Sequence, residues 1–128
     1  VTGVQTCALP ISYVEHQELM TDWDERRHMY QLMANSDFLP EAESRLKAKG
    51  LTKADRVILI CRSGDRSARA ADLLANAGYT QVYSITDGFE GDAAKDGPQA
   101  GQRIVNGWKN AGLPWTYKLE KQKMYFPR

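Results

Sequence analysis

The chain has 128 residues, the size of one domain, with 17 basic and 16 acidic side chains and a net charge of +1. No block of basic residues points to nucleic acid, and no apolar run is long enough to cross a bilayer. The two cysteines cannot build a disulfide framework. No Cys/His spacing suggests zinc, and His16 and His28 lack partner motifs, so no metal or cofactor is called for.

The first eleven residues, Val1 to Ile11, resemble a translated sequencing-library adapter, and Ser12 is compatible with the junction codon. Residues 1–12 are therefore expected to be a non-native leader, in which Cys7 has no evolved role, and residues 13–128 a single domain. From Glu18 to Leu32 the chain is polar and charged. Trp23, Met29 and Tyr30 read as packing residues of an insertion, the alternative being one wall of a site's mouth. Asp37 is a candidate N-cap for a helix through Pro40, Ala42 and Leu46 to Lys49, closed by Gly50.

Val57 to Ile60 is a short aliphatic run of the kind found in parallel strands covered on both faces. Ser67 is a candidate N-cap for the next helix, with apolar positions Ala70, Leu73, Leu74 and Ala77 at i, i+3, i+4 and i+7 and a stop at Gly78. Thr80 to Ile85 reads as a second strand. Strand, helix and strand make a βαβ unit with parallel pairing. Residues Asp92 to Arg103 read as a surface loop, and Asn106 to Ala111 as a short helix stopped by Gly112 and Pro114. The tail from Thr116, with Tyr117, Lys118, Lys121, Lys123, Tyr125 and Phe126, reads as a segment wrapped on the domain, the alternative being a partner-docking strip.

The segment that carries chemistry lies between that first strand and helix: Cys61, Arg62, Ser63, Gly64, Asp65, Arg66, Ser67. Open α/β sheets bind ligands at the carboxyl ends of their strands, where Cys61 falls. A helix N-terminus offers unpaired N–H groups and a partial positive charge, and a short loop curled there makes an anion nest. Gly64 permits the curl, and Arg62 and Arg66 bring forked donors suited to oxyanions. A thiol in such a field is expected to ionise about one unit or more below a free cysteine and to act as a nucleophile. Ser63 and Ser67 suit loop and cap hydrogen bonds, and Asp65 an exposed loop position. From Leu51 onward there are 12 basic and 8 acidic residues, against 5 and 8 from Tyr13 to Gly50, which favours anionic substrates.

The segment from Cys61 to Ser67 resembles the active-site loop of rhodanese-type sulfurtransferases. The likeness continues through Ala75 to Tyr83, the turn at Asp87 to Gly91, and Asn106 to Pro114, and covers roughly residues 36–115. It implies an α/β fold with a parallel sheet flanked by helices. Such domains usually open with two further strands, the second bearing an Asp-Val-Arg-like signature. None is found, so the likeness also implies a domain without its first strands and with exposed sheet edges. As to activity, it implies that Cys61 takes the outer sulfur of thiosulfate or a similar anion as a persulfide and passes it to cyanide, a thiol or a protein acceptor. Arg62, Ser63, Gly64, Asp65, Arg66 and Ser67 would form the donor-binding loop. Four residues separate Cys61 from Arg66, whereas related cysteine-dependent phosphatases and arsenate reductases carry one more, which leaves those activities as alternatives. A persulfide carrier serving a protein partner is the non-enzymatic alternative.

Overall fold

The computed structural model describes residues 14–16, 23–26, 28–30 and 32–118. The adapter-like leader with Cys7, and the distal tail residues Lys121, Lys123, Tyr125 and Phe126, lie outside the described residues. The chain divides into two compact units, Leu51–Leu119 and Val1–Gly50 with Glu120–Arg128.

In the second of these, β1 (Val14–His16) pairs antiparallel with β4 (Leu32–Ala34), and β2 (Trp23–Asp24) with β3 (Met29–Tyr30). The Asp24 carboxylate accepts from the Arg26 amide to shape the turn between β2 and β3. Helix α1 (Phe38–Ala48) follows. Asp37 stands at its N-cap as expected, but its side chain makes no cap bond; its own amide donates to Asn35 Oδ1 at 3.0 Å. Pro40 sits in the first turn, where a helix requires no amide donor. Phe38 and Ala42 are buried one turn apart, and buried Arg45 pairs with Glu41 four residues earlier.

The Leu51–Leu119 unit contains the βαβ element. A turn in which the Asp55 carboxylate accepts from the Thr52 amide and hydroxyl leads into β5 (Arg56–Leu59). Helix α2 (Asp65–Asn76) crosses over, and β6 (Gln81–Ser84) returns parallel to β5, with Val57 opposite Val82 and Leu59 opposite Ser84. The pairing is extended at the carboxyl ends by the Ile85 amide, which donates to the Leu59 carbonyl at 2.9 Å. This is the expected α/β architecture.

Two details differ from the sequence reading. The buried stripe of α2 is Ser67, Ala70 and Leu74, while Leu73 is exposed. Ser67, Ala70 and Leu74 are spaced by three and four residues on one side of the helix, and that side faces β5 and β6. The strands are also not covered on both faces. Val57, Leu59, Val82 and Ser84 share the face under α2, whereas Ile58, Ile60 and Tyr83 are exposed, Ile58 by 56%. The helix covers one face of the pair, and alternation sends every second side chain to the other.

Beyond β6, residues 92–106 form a loop closed at its base. The Asp92 amide donates to Asn106 Oδ1, and Asn106 Nδ2 donates to the Asp92 carboxylate. An isolated bridge joins Ala93 to Arg103. The expected short helix is a single 3-10 turn, Trp108–Ala111. Phe89, Trp115 and Tyr117 then meet edge to face with centroids 5.0–6.3 Å apart. Lys109 Nζ donates to the Tyr117 hydroxyl, which donates to Glu90. The tail is thus packed on its own unit as far as Tyr117. Among the described residues no helix is long and apolar enough to cross a membrane.

Leu74, at 1% exposure, is the most deeply enclosed large side chain among the described residues. Leu74→Ala is expected to lower stability by about 2–5 kcal/mol, read as a shift of the urea midpoint. A shift below about 1 kcal/mol would show that the α2 seam is not a packed core.

Candidate active site

Cys61 follows the end of β5 by two residues and is half-buried. Helix α2 starts earlier than Ser67 suggests. Gly64 is the N-cap, with φ of 104°, and its carbonyl accepts the first helical bond, from Ala68, at 3.1 Å. The amides of Asp65, Arg66 and Ser67 are left without helical acceptors. Ser67 therefore sits in the first turn, not before it, where its amide and hydroxyl both reach the thiol.

The loop can take this shape because a second backbone segment holds it. A Cβ on Gly64 would stand 1.7 Å from the Thr86 carbonyl oxygen, and one on Gly88 would stand 2.5 Å from the Cys61 carbonyl oxygen. Both glycines have positive φ, so a side chain is excluded on conformation and on space. The Phe89 amide donates to the Cys61 carbonyl at 2.8 Å, and the amides of Glu90 and Gly91 donate to the Arg62 carbonyl at 2.9 and 3.0 Å. The turn is itself pinned, since Trp108 and Lys109 donate to the carbonyls of Gly88 and Phe89.

Around the sulfur, the Gly64 amide approaches Cys61 Sγ at 3.1 Å and the Ser67 amide at 3.4 Å. The thiol lies 3.4 Å from Ser67 Oγ, which donates to the Gly64 carbonyl at 3.1 Å and accepts from Ser84 Oγ at 2.8 Å. Burial raises the thiol's pKa. The Ser67 hydroxyl and the amides of Ser67, Gly64 and Ser63 outweigh it and bring the value down to about 7.

The structure thus brings Cys61, Ser63, Gly64 and Ser67 together. Arg62, Asp65 and Arg66 are exposed, and among the described residues their side chains make no hydrogen bond or ion pair. The donors that lower the thiol's pKa are neutral ones, the Ser67 hydroxyl and the amides of Ser67, Gly64 and Ser63. Two contributors escaped the sequence reading. Thr86 presents its carbonyl to Gly64, and Ser84 bonds Ser67. A hydroxyl two residues from Val82, on the same face of the strand, was the available signal for Ser84. Among the described residues no group of three or more His, Cys, Asp or Glu side chains could hold a metal ion. Behind the 86–88 turn lies a cleft of about 430 Å³ lined by Ile85, Thr86, Val105, Trp108 and Leu113 among others, but not by Cys61.

Residues 25–95, more than half of the chain, match the rhodanese-like domain, and the chain belongs to that family. It is similar to the uncharacterized protein RP600 of Rickettsia prowazekii, 41% identical over 61 residues that make up 48% of this chain and 42% of that protein. It is also similar to the thiosulfate sulfurtransferase GlpE of Tolumonas auensis, 44% identical over 41 residues, 32% of this chain and 39% of that one. The matches thus span less than half the length of these curated relatives. The crystal structure of Rv0390 from M. tuberculosis superposes with a TM-score of 0.52 at 38% identity, covering 66% of this chain and 55% of that one.

A thiol with this pKa is half ionised near neutrality. Alkylation of Cys61 by iodoacetamide should rise about tenfold per pH unit below pH 7 and level off above it. A midpoint near that of a free thiol would show that the loop donors are not seated on the sulfur.

Proposed function

We propose that the protein is a sulfurtransferase that moves sulfane sulfur from thiosulfate, or a similar anionic donor, to a thiophilic acceptor through a persulfide on Cys61. The observation that carries this reading is the thiol held by inward-facing amides at a helix N-terminus in a rhodanese-like chain. In the first half-reaction the Cys61 thiolate attacks the outer sulfur of thiosulfate. A new S–S bond forms to Sγ, the bond between the two thiosulfate sulfurs breaks, and its electron pair leaves with sulfite. In the second, cyanide or a thiolate attacks the outer sulfur of the persulfide and the Cys61 thiolate departs. Charge is conserved in both steps, and neither needs an oxidant, a metal or a cofactor.

The amides of Ser63, Gly64 and Ser67 stabilise negative charge on the sulfur in each state. Arg62 and Arg66 are exposed cations of the loop without an ion pair among the described residues, suited to capturing an anionic donor at the surface. Ser63 and Asp65 shape the same rim. GlpE of Tolumonas auensis is a thiosulfate sulfurtransferase by name, and the partial match to it supports this choice of donor. The exposed setting of the arginines also favours a second reading, a persulfide carrier whose acceptor is a protein surface.

Multiple-turnover thiocyanate formation from thiosulfate and cyanide tests the enzymatic reading. Cys61→Ser should abolish it, and surviving activity would overturn the assignment. Addition of the mass of one sulfur atom at Cys61 without turnover would instead support the carrier.

Arg66→Ala should raise the thiosulfate concentration for half-maximal rate by about tenfold or more, the size of a lost charge-assisted hydrogen bond. An unchanged value would remove Arg66 from the donor site.

A further inference from the structure

We infer that Ser84, on the strand next to the catalytic loop, is a positioning residue that holds the Ser67 hydroxyl in the state able to donate to the Cys61 thiolate. The inference deepens the reading of Cys61 as a nucleophile and rests on it.

The argument is a count of protons and lone pairs. Ser67 is buried, at 3% exposure, and its hydroxyl has one proton to give. In the thiol state Cys61 S–H lies against Ser67 Oγ, Ser84 donates to the same oxygen, and Ser67 gives its proton to the Gly64 carbonyl. When the thiol ionises, Sγ can only accept. Ser67 then has to turn its proton from the Gly64 carbonyl to Sγ. It also loses the S–H that it had been accepting.

Ser84 decides what this costs. With Ser84 donating at 2.8 Å, the Ser67 oxygen is still satisfied after the turn, and an oxygen that accepts a hydrogen bond is a stronger donor. Without Ser84, Ser67 in the thiolate state would be a buried hydroxyl accepting from nothing, whereas in the thiol state it would still accept from S–H. The loss therefore falls mainly on the thiolate. The register makes the contact possible, since Ser84 pairs with Leu59 and shares its face of the sheet, under α2.

Other charges near the sulfur do not substitute for this relay. The loop and helix contribute Arg62, Asp65, Arg66 and Arg69, and the turn packed against the loop contributes Asp87 and Glu90. Among the described residues none of these side chains bonds Sγ. The titratable Tyr83 of β6 lies on the opposite, exposed face.

The test is the pH dependence of iodoacetamide alkylation of Cys61 in the full chain, with no sulfur donor or acceptor present. Its outcome is therefore independent of whether the protein proves to be a transferase or a carrier. Ser84→Ala should move the midpoint up by about 0.5–1 unit, leaving about two- to five-fold less thiolate at pH 7 and an unchanged rate at high pH. Ser84→Thr, which keeps the hydroxyl, should restore the midpoint. The double variant Ser67→Ala with Ser84→Ala should titrate like Ser67→Ala alone. An unchanged midpoint in Ser84→Ala overturns the inference. So does a further rise in the double variant beyond Ser67→Ala, because Ser84 would then act on the sulfur by another route.

Discussion

Two stretches of main chain meet at the active loop more closely than any side chain would allow. Gly64 lies against the Thr86 carbonyl, and Gly88 lies against the backbone from Cys61 to Ser63. Three further amides of the turn, those of Phe89, Glu90 and Gly91, bond the loop's first two carbonyls. Each segment is the other's mould. With the Cys61 and Arg62 carbonyls committed outward to the turn, the amides of Gly64 and Ser67 are left to face the sulfur. The parallel pair β5 and β6 brings the two segments side by side, because both emerge from the same end of the sheet.

This arrangement lowers the pKa of a thiol through neutral hydrogen-bond donors. Each N–H donor is a modest contributor, and burial works against them. They prevail because they are fixed before ionisation and need no reorganisation when charge appears.

The fold and the position of the site were readable in the sequence wherever one residue type answers one local requirement. The aliphatic run, the glycine-bearing loop and the helix formers after it placed strand, loop and helix in order, and the thiol at a strand's carboxyl end. Helix registration was not readable. Ser67 is a good N-cap by type, but Gly64 can take a left-handed backbone and pack on Thr86, so the helix begins before Ser67. Sheet coverage was also misjudged. A short aliphatic run looks the same whether one face is covered or two, and only the packing of α2 separates Val57 and Leu59 from Ile58 and Ile60. The partner of Ser84 was not readable for a different reason: the contact is non-local, joining β6 to α2 across the sheet face.

The groups that lower the pKa of Cys61 are main-chain amides and one serine hydroxyl, whereas Arg62, Asp65 and Arg66 are exposed and, among the described residues, make no bond to the sulfur. The donors around the thiol and the exposed side chains are therefore separate parts of the same seven residues. The exposed side chains can be exchanged while the donors that favour a thiolate stay in place. A loop divided in this way can alter the surface it shows without disturbing the thiol it holds.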